Sequence, residues 1–166
     1  MALIDRNGLR PDGWQVFEGN AGALAPGADV LIPLDEWRER AAVWKARSGR
    51  LGLLLSPPDD VLSLAQDLDH FDLIAVNFPR FSDGRGYSTA RLVRDRLGWE
   101  GELRAVGDVL RDQLFLLARC GFDSFALRED QDALAALAAF NDFSVRYQAA
   151  TDEPLPLFRR RRLAAA

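Results

Sequence analysis

Residues 78–123 read FPRFSDGRGYSTARLVRDRLGWEGELRAVGDVLRDQLFLLARCGFD and hold most of the unusual polar residues of the chain. Two polar loops within this stretch, SDGRGYS and GDVLRDQ, each follow an apolar run and precede a helical pattern. A strand, a loop and a helix repeated in this way are typical of a parallel sheet covered by helices. The stretch therefore predicts two consecutive β-α units with polar loops after their strands.

The same alternation continues on both sides of this stretch. Short apolar runs predict buried strands at residues 30–33, 51–55, 71–78, 102–106 and 124–127. Helical spacing of apolar residues predicts helices at residues 35–48, 59–68, 88–97, 108–120 and 130–140. The fold class is α/β, with repeated β-α units and a mainly parallel sheet. A partial (βα) barrel and a three-layer sandwich both fit, and the polar loops favour the barrel because successive C-terminal loops converge only there.

The chain of 166 residues is long enough for one domain with a sizeable core. Residues 1–28 mix Gly, Pro, Asp and Asn with a short alternating patch, which predicts an N-terminal extension with an edge strand. Residues 29–150 form the single α/β domain, whose last predicted strand is 143–147. Residues 151–166 are a Pro/Arg-rich C-terminal tail, predicted to be extended.

The net charge of -4 argues against nucleic-acid binding, which normally requires a basic face. No apolar run approaches the length of a membrane span, so we expect a cytoplasmic protein that does not bind membranes. One cysteine and one histidine cannot supply the ligands of an iron-sulfur cluster or a structural zinc site. No metal and no cofactor are predicted, and a flavin is the one cofactor left open.

The first loop combines the residue types of an anion site. Gly84 and Gly86 permit positive φ and close backbone approach, and the N–H groups of the following helix start attract anions. Guanidinium side chains add donors for a carboxylate, a phosphate or a sulfur oxyanion. A tight turn with solvated arginines, with Ser88 capping the helix, is the competing interpretation. The candidate binding set here comprises Arg80, Ser82, Asp83, Gly84, Arg85, Gly86, Tyr87, Ser88 and Arg91.

The second loop offers Asp108, Arg111, Asp112 and Gln113 at the start of the next predicted helix. Helical spacing would place Asp108 and Asp112 on one face, beside Arg111. A carboxylate there can orient an arginine or act as a base, and Asp108 is also a good N-cap candidate. We expect the two loops to share one rim, with their guanidinium groups directed into a common hollow.

No catalytic residue is predicted. Cys120 lies at the end of a predicted helix, where a thiolate is disfavoured, so a small buried residue is the better interpretation. His70 precedes a strand, whereas α/β sites lie at the opposite end of the strands. Residues 159–162 are four arginines that follow apolar residues, a pattern that fits either docking onto an acidic partner or a solvated tail.

The motifs FSDGRGYS, GELRAVGDVLRDQ and RCGFD closely resemble the bacterial family of unknown function 934, over roughly residues 30–147. Members of that family are described as oxidoreductases of sulfite reduction and are associated with the siroheme subunit of assimilatory sulfite reductase, in cysteine biosynthesis. The resemblance therefore implies a role in sulfur assimilation, with the siroheme subunit as a partner.

Sulfite reduction needs siroheme and an iron-sulfur cluster, which one cysteine and one histidine cannot hold. No Gly-x-Gly-x-x-Gly fingerprint follows a strand either. We therefore expect an accessory subunit, an oxidoreductase component without a recognisable redox cofactor site of its own. It would bind the siroheme subunit through the arginine-rich loop face and support its assembly or its electron supply from a ferredoxin-like donor. The alternative is a small-anion-binding enzyme that acts on sulfite or a phosphorylated metabolite at the two loops.

Overall fold

The computed structural model describes residues 1–20, 22 and 24–164 and shows eight strands in one sheet, curled into a half-barrel. The strands are β1 (Ala2–Asp5), β2 (Gly8–Arg10), β3 (Gln15–Val16), β4 (Val30–Pro33), β5 (Leu51–Leu55), β6 (Leu73–Phe78), β7 (Glu102–Gly107) and β8 (Ser124–Leu127). The α-helices are α1 (Leu34–Lys45), α2 (Arg85–Asp95), α3 (Leu114–Arg119), α4 (Ala133–Ala136) and α5 (Leu157–Ala164). Short 3-10 turns occupy Val61–Leu64, Leu68–His70, Arg111–Gln113 and Leu137–Asn141.

Strands β3 to β8 are parallel and lie side by side in chain order, and β1 and β2 add an antiparallel hairpin beside β8. Helices α1 to α4 all contribute buried side chains to one cluster on a single face of the sheet. A three-layer sandwich would reverse the strand order and place helices on both faces. The α/β class is therefore confirmed, and the partial barrel is the architecture of this chain.

The alternation of side chains along the strands separates two layers of packing. In β6, Ile74, Val76 and Phe78 face the helices, where they join the main core. The intervening Leu73 and Ala75 belong to a second apolar cluster on the concave face, with Leu31 of β4. Because both faces of the central strands are covered, they appear in the sequence as continuous apolar runs.

The first 28 residues contribute three strands to the sheet. Strand β3 lies at one edge of the sheet, beside β4, and agrees with the predicted edge strand. The β1–β2 hairpin lies at the other edge, beside β8, and was not predicted. The chain between β2 and β3 passes from one edge to the other over the concave face, where Asp12 binds Arg104 at 2.9 Å. The N-terminal region therefore supplies the outermost strands at both edges of the sheet and covers part of its concave face.

Several predicted elements differ from the structure. The helix predicted at 59–68 is wrong: the segment forms 3-10 turns, in which Asp60 accepts a hydrogen bond from the Leu62 N–H and local side-chain bonds compete with an α-helix. The helix predicted at 130–140 begins only at Ala133 and continues as a 3-10 turn. The strand predicted at 143–147 is also wrong, since these residues are irregular.

The tail predicted to be extended ends in helix α5 instead. Leucine, alanine and arginine are good helix formers, which outweighs the repulsion within the arginine run. The helix is also tied to the body, because the Arg160 guanidinium donates to the Arg146 carbonyl at 2.7 Å and pairs with Glu153 at 3.2 Å. In the part of the chain that the structure describes, no helix has the length and apolar character needed to cross a membrane.

Candidate functional site

The loops that follow β6, β7 and β8 meet at the carboxyl edge of the sheet. The backbone N–H of Phe81, in the first loop, donates to the Asp108 carboxylate at 2.8 Å. Arg128, which follows β8, donates to the other oxygen of the same carboxylate at 2.7 Å. Asp108 therefore joins three consecutive loops, and we call residues 79–84, 108–113 and 128–131 the rim.

Phe81 is held by its backbone while its ring points into solvent. Gln113 is only 8% exposed, and its Nε2 donates to the Phe81 carbonyl at 3.1 Å while its Oε1 accepts from the Leu110 N–H at 2.9 Å. Both polar backbone groups of Phe81 are thus bonded to the second loop. The residue is nevertheless 57% exposed, so the rim holds the backbone of an aromatic residue whose ring is open to solvent.

The predicted capping role of Asp108 is wrong. The turn that follows it begins at Arg111, and α3 begins only at Leu114, so Asp108 and Asp112 do not share a helix face. The hydrogen bond from the Phe81 N–H, and next the one from Arg128, lower the pKa of Asp108. The carboxylate is therefore ionised at neutral pH and acts as a fixed acceptor between loops.

A second carboxylate strengthens this junction. Arg128 donates to both oxygens of Asp130, at 2.6 and 2.7 Å. These hydrogen bonds lower the pKa of Asp130 to about 2 and raise the pKa of Arg128. Bidentate pairing of a guanidinium fixes its plane. Arg128 is therefore oriented from both sides, by Asp108 and Asp130.

The glycines of the first loop serve helix packing. Gly84 precedes α2 with φ -78°, so the positive φ that was considered for it is not adopted. Gly86 lies against the ring of Phe78, where a Cβ would come within 2.5 Å of ring carbon Cζ. Tyr87 packs edge-on to the same ring, with centroids 5.5 Å apart, and burial raises the pKa of its hydroxyl. Ser88 is an exposed residue inside α2, so its predicted capping role is wrong.

The arginines of the predicted anion site bind separate carboxylates. Their partners are Asp83 for Arg85 at 2.7 Å, Asp95 for Arg91 at 2.6 Å and Asp142 for Arg111 at 3.3 Å. Among the described residues, Arg80 is exposed and forms no ion pair, and Ser82 and Asp112 are exposed beside it in the rim. The two loops share a rim as predicted, but the guanidinium groups do not converge on a common hollow.

The sequence reasoning missed a polar network on the concave face of the sheet. Arg104 of β7 has a side chain only 3% exposed and binds Asp12 and Glu102, both at 2.9 Å. The Ser124 hydroxyl donates to Glu102 at 2.6 Å. Burial alone would raise the pKa of Glu102, but the hydrogen bonds from Ser124 and Arg104 outweigh burial and hold it below its ordinary value. The sequence signal for this network was the pair of charged residues Glu102 and Arg104, which alternate with apolar residues in the predicted strand ELRAV.

Cys120 is buried, as predicted, and burial raises the pKa of its thiol. His70 packs beside Trp37, with ring centroids 5.6 Å apart. Across residues 1–20, 22 and 24–164, no three side chains of His, Cys, Asp or Glu are grouped as a metal site requires.

A comparison with known protein families gives a match to the central and C-terminal part of the chain. A family model described as "Bacterial protein of unknown function (DUF934)" matches residues 52–158, which is more than half of the chain. The match covers β5 to β8 and the rim. No curated protein matches the chain.

Proposed function

The chain belongs to the bacterial protein family of unknown function DUF934, and from that premise we propose that it is an accessory subunit of assimilatory sulfite reduction. It binds the siroheme subunit of sulfite reductase through the rim and supports the assembly or the electron supply of that subunit in cysteine biosynthesis. The identity of the partner rests on the resemblance of the FSDGRGYS, GELRAVGDVLRDQ and RCGFD motifs. The mode of binding rests on the geometry of the rim.

The exposed ring of Phe81 is the observation that carries the proposal. An aromatic side chain contributes more binding energy when it enters a partner pocket without first losing conformational freedom. Asp108 and Gln113 have already fixed the Phe81 backbone, through its N–H and its carbonyl. Such a preorganised aromatic residue is typical of the centre of a protein interface.

The charges near Phe81 fit the border of such an interface. Arg80 precedes it and is exposed, while Arg85 and Arg128 form exposed ion pairs with acids of the rim. Exposed ion pairs contribute little stability, but they select partners of complementary charge and orient them. The rim therefore combines an apolar centre with a charged border.

The C-terminal segment supports a second contact, with an acidic electron donor of the ferredoxin type. Arg159, Arg161 and Arg162 are exposed on α5 and form no ion pair with the described residues, and Phe158 of the same helix is also exposed. An unpaired basic helix attracts an acidic partner and speeds its association. Binding of such a donor should weaken with added salt and with replacement of these three arginines by glutamine.

The anion-binding enzyme is the weaker proposal. Asp83 already accepts from the N–H and the guanidinium of Arg85 at the start of α2, at 3.2 Å and 2.7 Å. A sulfite or phosphate ion would have to displace this carboxylate, and Arg91 and Arg111 are likewise engaged with Asp95 and Asp142. The arrangement is better suited to fixing the loops than to holding a small anion.

Co-purification from a bacterium that produces the protein tests the proposal. Affinity-tagged wild-type protein should retain the siroheme subunit, and deletion of the protein should impair growth on sulfate and sulfite but not on cysteine. Phe81→Ala should lose the subunit, whereas Val43→Ala should keep it, because Val43 is equally exposed at 56% but lies on α1. Failure of the wild type to retain the subunit, together with normal growth of the deletion strain, would refute the proposal.

A further inference from the structure

A cavity of about 330 Å³ opens on the concave face of the half-barrel. Every strand except β2 contributes to its lining. Asn77, Val106 and Gly107 lie towards the carboxyl ends of β6 and β7, the end at which barrel enzymes bind their ligands. The volume falls at the lower end of the range of small-molecule sites, about 300–1,000 Å³.

The floor of this cavity is apolar and rigid. Trp14 lies against Gly52, where a Cβ would come within 2.9 Å of the indole ring and 2.6 Å of Leu31. The Arg50 guanidinium lies over the same indole, 5.1 Å from the ring centroid. The strand β5 therefore needs glycine at this position, and the indole is a fixed part of the apolar wall of the cavity, together with Leu54 and Val106.

The charged groups of the cavity cancel one another. Arg104 is its central cation, and Asp12 and Glu102 each bind that guanidinium at 2.9 Å. Behind the lining, Arg10 lies 3.8 Å from the second oxygen of Glu102 and 3.8 Å from Asp5. The α-ammonium group of Met1, which also lines the cavity, pairs with Glu129 at 3.5 Å. An anionic ligand would have to displace a carboxylate from Arg104, and a cationic ligand would meet carboxylates that are already paired.

Asn77 supplies the free polar group of the cavity. None of the hydrogen bonds found among the described residues involves its carboxamide, which offers two N–H donors and one acceptor oxygen. Gly107 lies beside it with φ +93°, and a Cβ there would come within 2.6 Å of Asn77 Oδ1. Covering the carboxamide with a purely apolar ligand would leave its polar atoms unsatisfied, at a cost of about 1–3 kcal/mol.

From these observations we propose that the cavity binds a small neutral ring molecule with an amide- or lactam-type edge. The ring packs against the apolar wall formed by Trp14, Leu54 and Val106, and the adjacent donor and acceptor of its edge pair with the Asn77 carboxamide. This site is separate from the rim, and its test does not depend on the partner proposed there.

Three small probes of similar shape and different charge test the proposal on the full chain. Benzamide is neutral, benzoate is anionic and benzylammonium is cationic. In NMR titrations, benzamide should shift the Trp14 indole N–H and the Asn77 side-chain NH₂ resonances with a Kd of about 1 mM, as expected for a ligand of this size. Benzoate and benzylammonium should bind at least about tenfold more weakly, since each brings an unpaired charge into a neutral site.

Matched variants separate the site from general binding. Asn77→Leu keeps the size of the side chain and should weaken benzamide at least about tenfold, while Asn141→Leu, at an exposed position, should leave its Kd unchanged. If Asn77→Leu does not fold, toluene replaces it as the comparison. Toluene should bind the wild type more weakly than benzamide, because it lacks the amide edge.

Four results would overturn the proposal. Tighter binding of benzoate would show an anion site at Arg104, and equal binding of toluene would show that Asn77 plays no part. No shift of the Trp14 or Asn77 resonances at 10 mM probe would show that the cavity takes no such molecule. The Trp14 and Asn77 resonances could instead shift with protein concentration and not with added probe, while sedimentation shows a dimer. That result would show that a second copy of the chain covers this face.

Discussion

The backbone N–H of Phe81 donates to the Asp108 carboxylate at 2.8 Å, and this contact joins the loops that follow β6 and β7. The Phe81 carbonyl accepts from Gln113 Nε2 at 3.1 Å, so the second loop holds both polar groups of this residue. Ordering a loop before binding lowers the entropy cost of forming an interface. The exposed ring of Phe81 is therefore presented by a rigid part of the protein.

Replacing Asp108 by alanine should loosen the first loop. The change removes the acceptor of the Phe81 N–H and one partner of Arg128. The Phe81 amide should then exchange with solvent at least roughly tenfold faster in native-state hydrogen-exchange NMR. Asp112→Ala is the matched control, because Asp112 is exposed in the same loop. In that variant the Phe81 amide should exchange at the wild-type rate. Equal rates in both variants would show that Asp108 does not hold the loop.

The junction of Arg128 with Asp108 and Asp130 should weaken only in acid. Both carboxylates have pKa values below the ordinary 3.8, and that of Asp130 is about 2. A depressed folded pKa stabilises the folded state above the unfolded pKa, and this contribution is lost as pH falls from about 3.8 towards 2. NMR titration of the carboxyl carbons should show lowered pKa values for both Asp108 and Asp130 in the wild type. In Arg128→Leu both should rise, and unchanged values there would contradict the assignment.

Arg104 should be essential to stability because it is the buried centre of the concave network. Arg104→Met leaves Glu102 without its buried partner and should destabilise the fold by about 3 kcal/mol in urea denaturation. The Arg104→Met/Glu102→Gln double variant should recover part of this loss, since the unpaired charge is gone. Arg10→Met serves as the control, because its exposed pair with Glu102 is 3.8 Å long, and it should cost under about 1 kcal/mol. A small effect of Arg104→Met would exclude a buried ion-pair network.

Cys120 should react slowly with thiol reagents. Its thiol is buried, and burial raises its pKa, so little thiolate forms at pH 8. The reaction with Ellman's reagent should be at least about tenfold slower in the folded protein than in urea. The Cys120→Ser/Ser88→Cys variant, which moves the thiol to an exposed position of α2, should react rapidly when folded. Equal rates for wild type and variant would show that Cys120 is accessible.

The strands were predicted well because their signal is local. The runs at 30–33, 51–55 and 124–127 are the observed β4, β5 and β8, since each is a continuous apolar segment bounded by turn residues. The β1–β2 hairpin was missed because its place depends on pairing with β8, more than 100 residues away in the chain. The pairing with β8 leaves no local pattern, but the hairpin itself has one, since Asn7 and Gly8 lie between the short apolar runs of β1 and β2.

The position of the rim was predicted from the sequence, but its hydrogen-bond partners were not. Polar loops after parallel strands indicated one shared edge, and Asp108 and Phe81 indeed meet there. Asp108 followed by a helical pattern resembles an N-cap, and only the fold shows that its carboxylate faces the preceding loop instead. Asn77 and Arg104 were missed for a similar reason. Only the curled sheet shows that these two polar residues of β6 and β7 line one cavity.

Binding of the purified siroheme subunit of sulfite reductase to immobilised protein tests the central claim most directly. We predict measurable affinity for the wild type, a loss of at least about 30-fold for Phe81→Ala, as for an aromatic residue at an interface centre, and no change for Val43→Ala. No binding by the wild type, or equal affinities for the wild type and Phe81→Ala, would contradict the account.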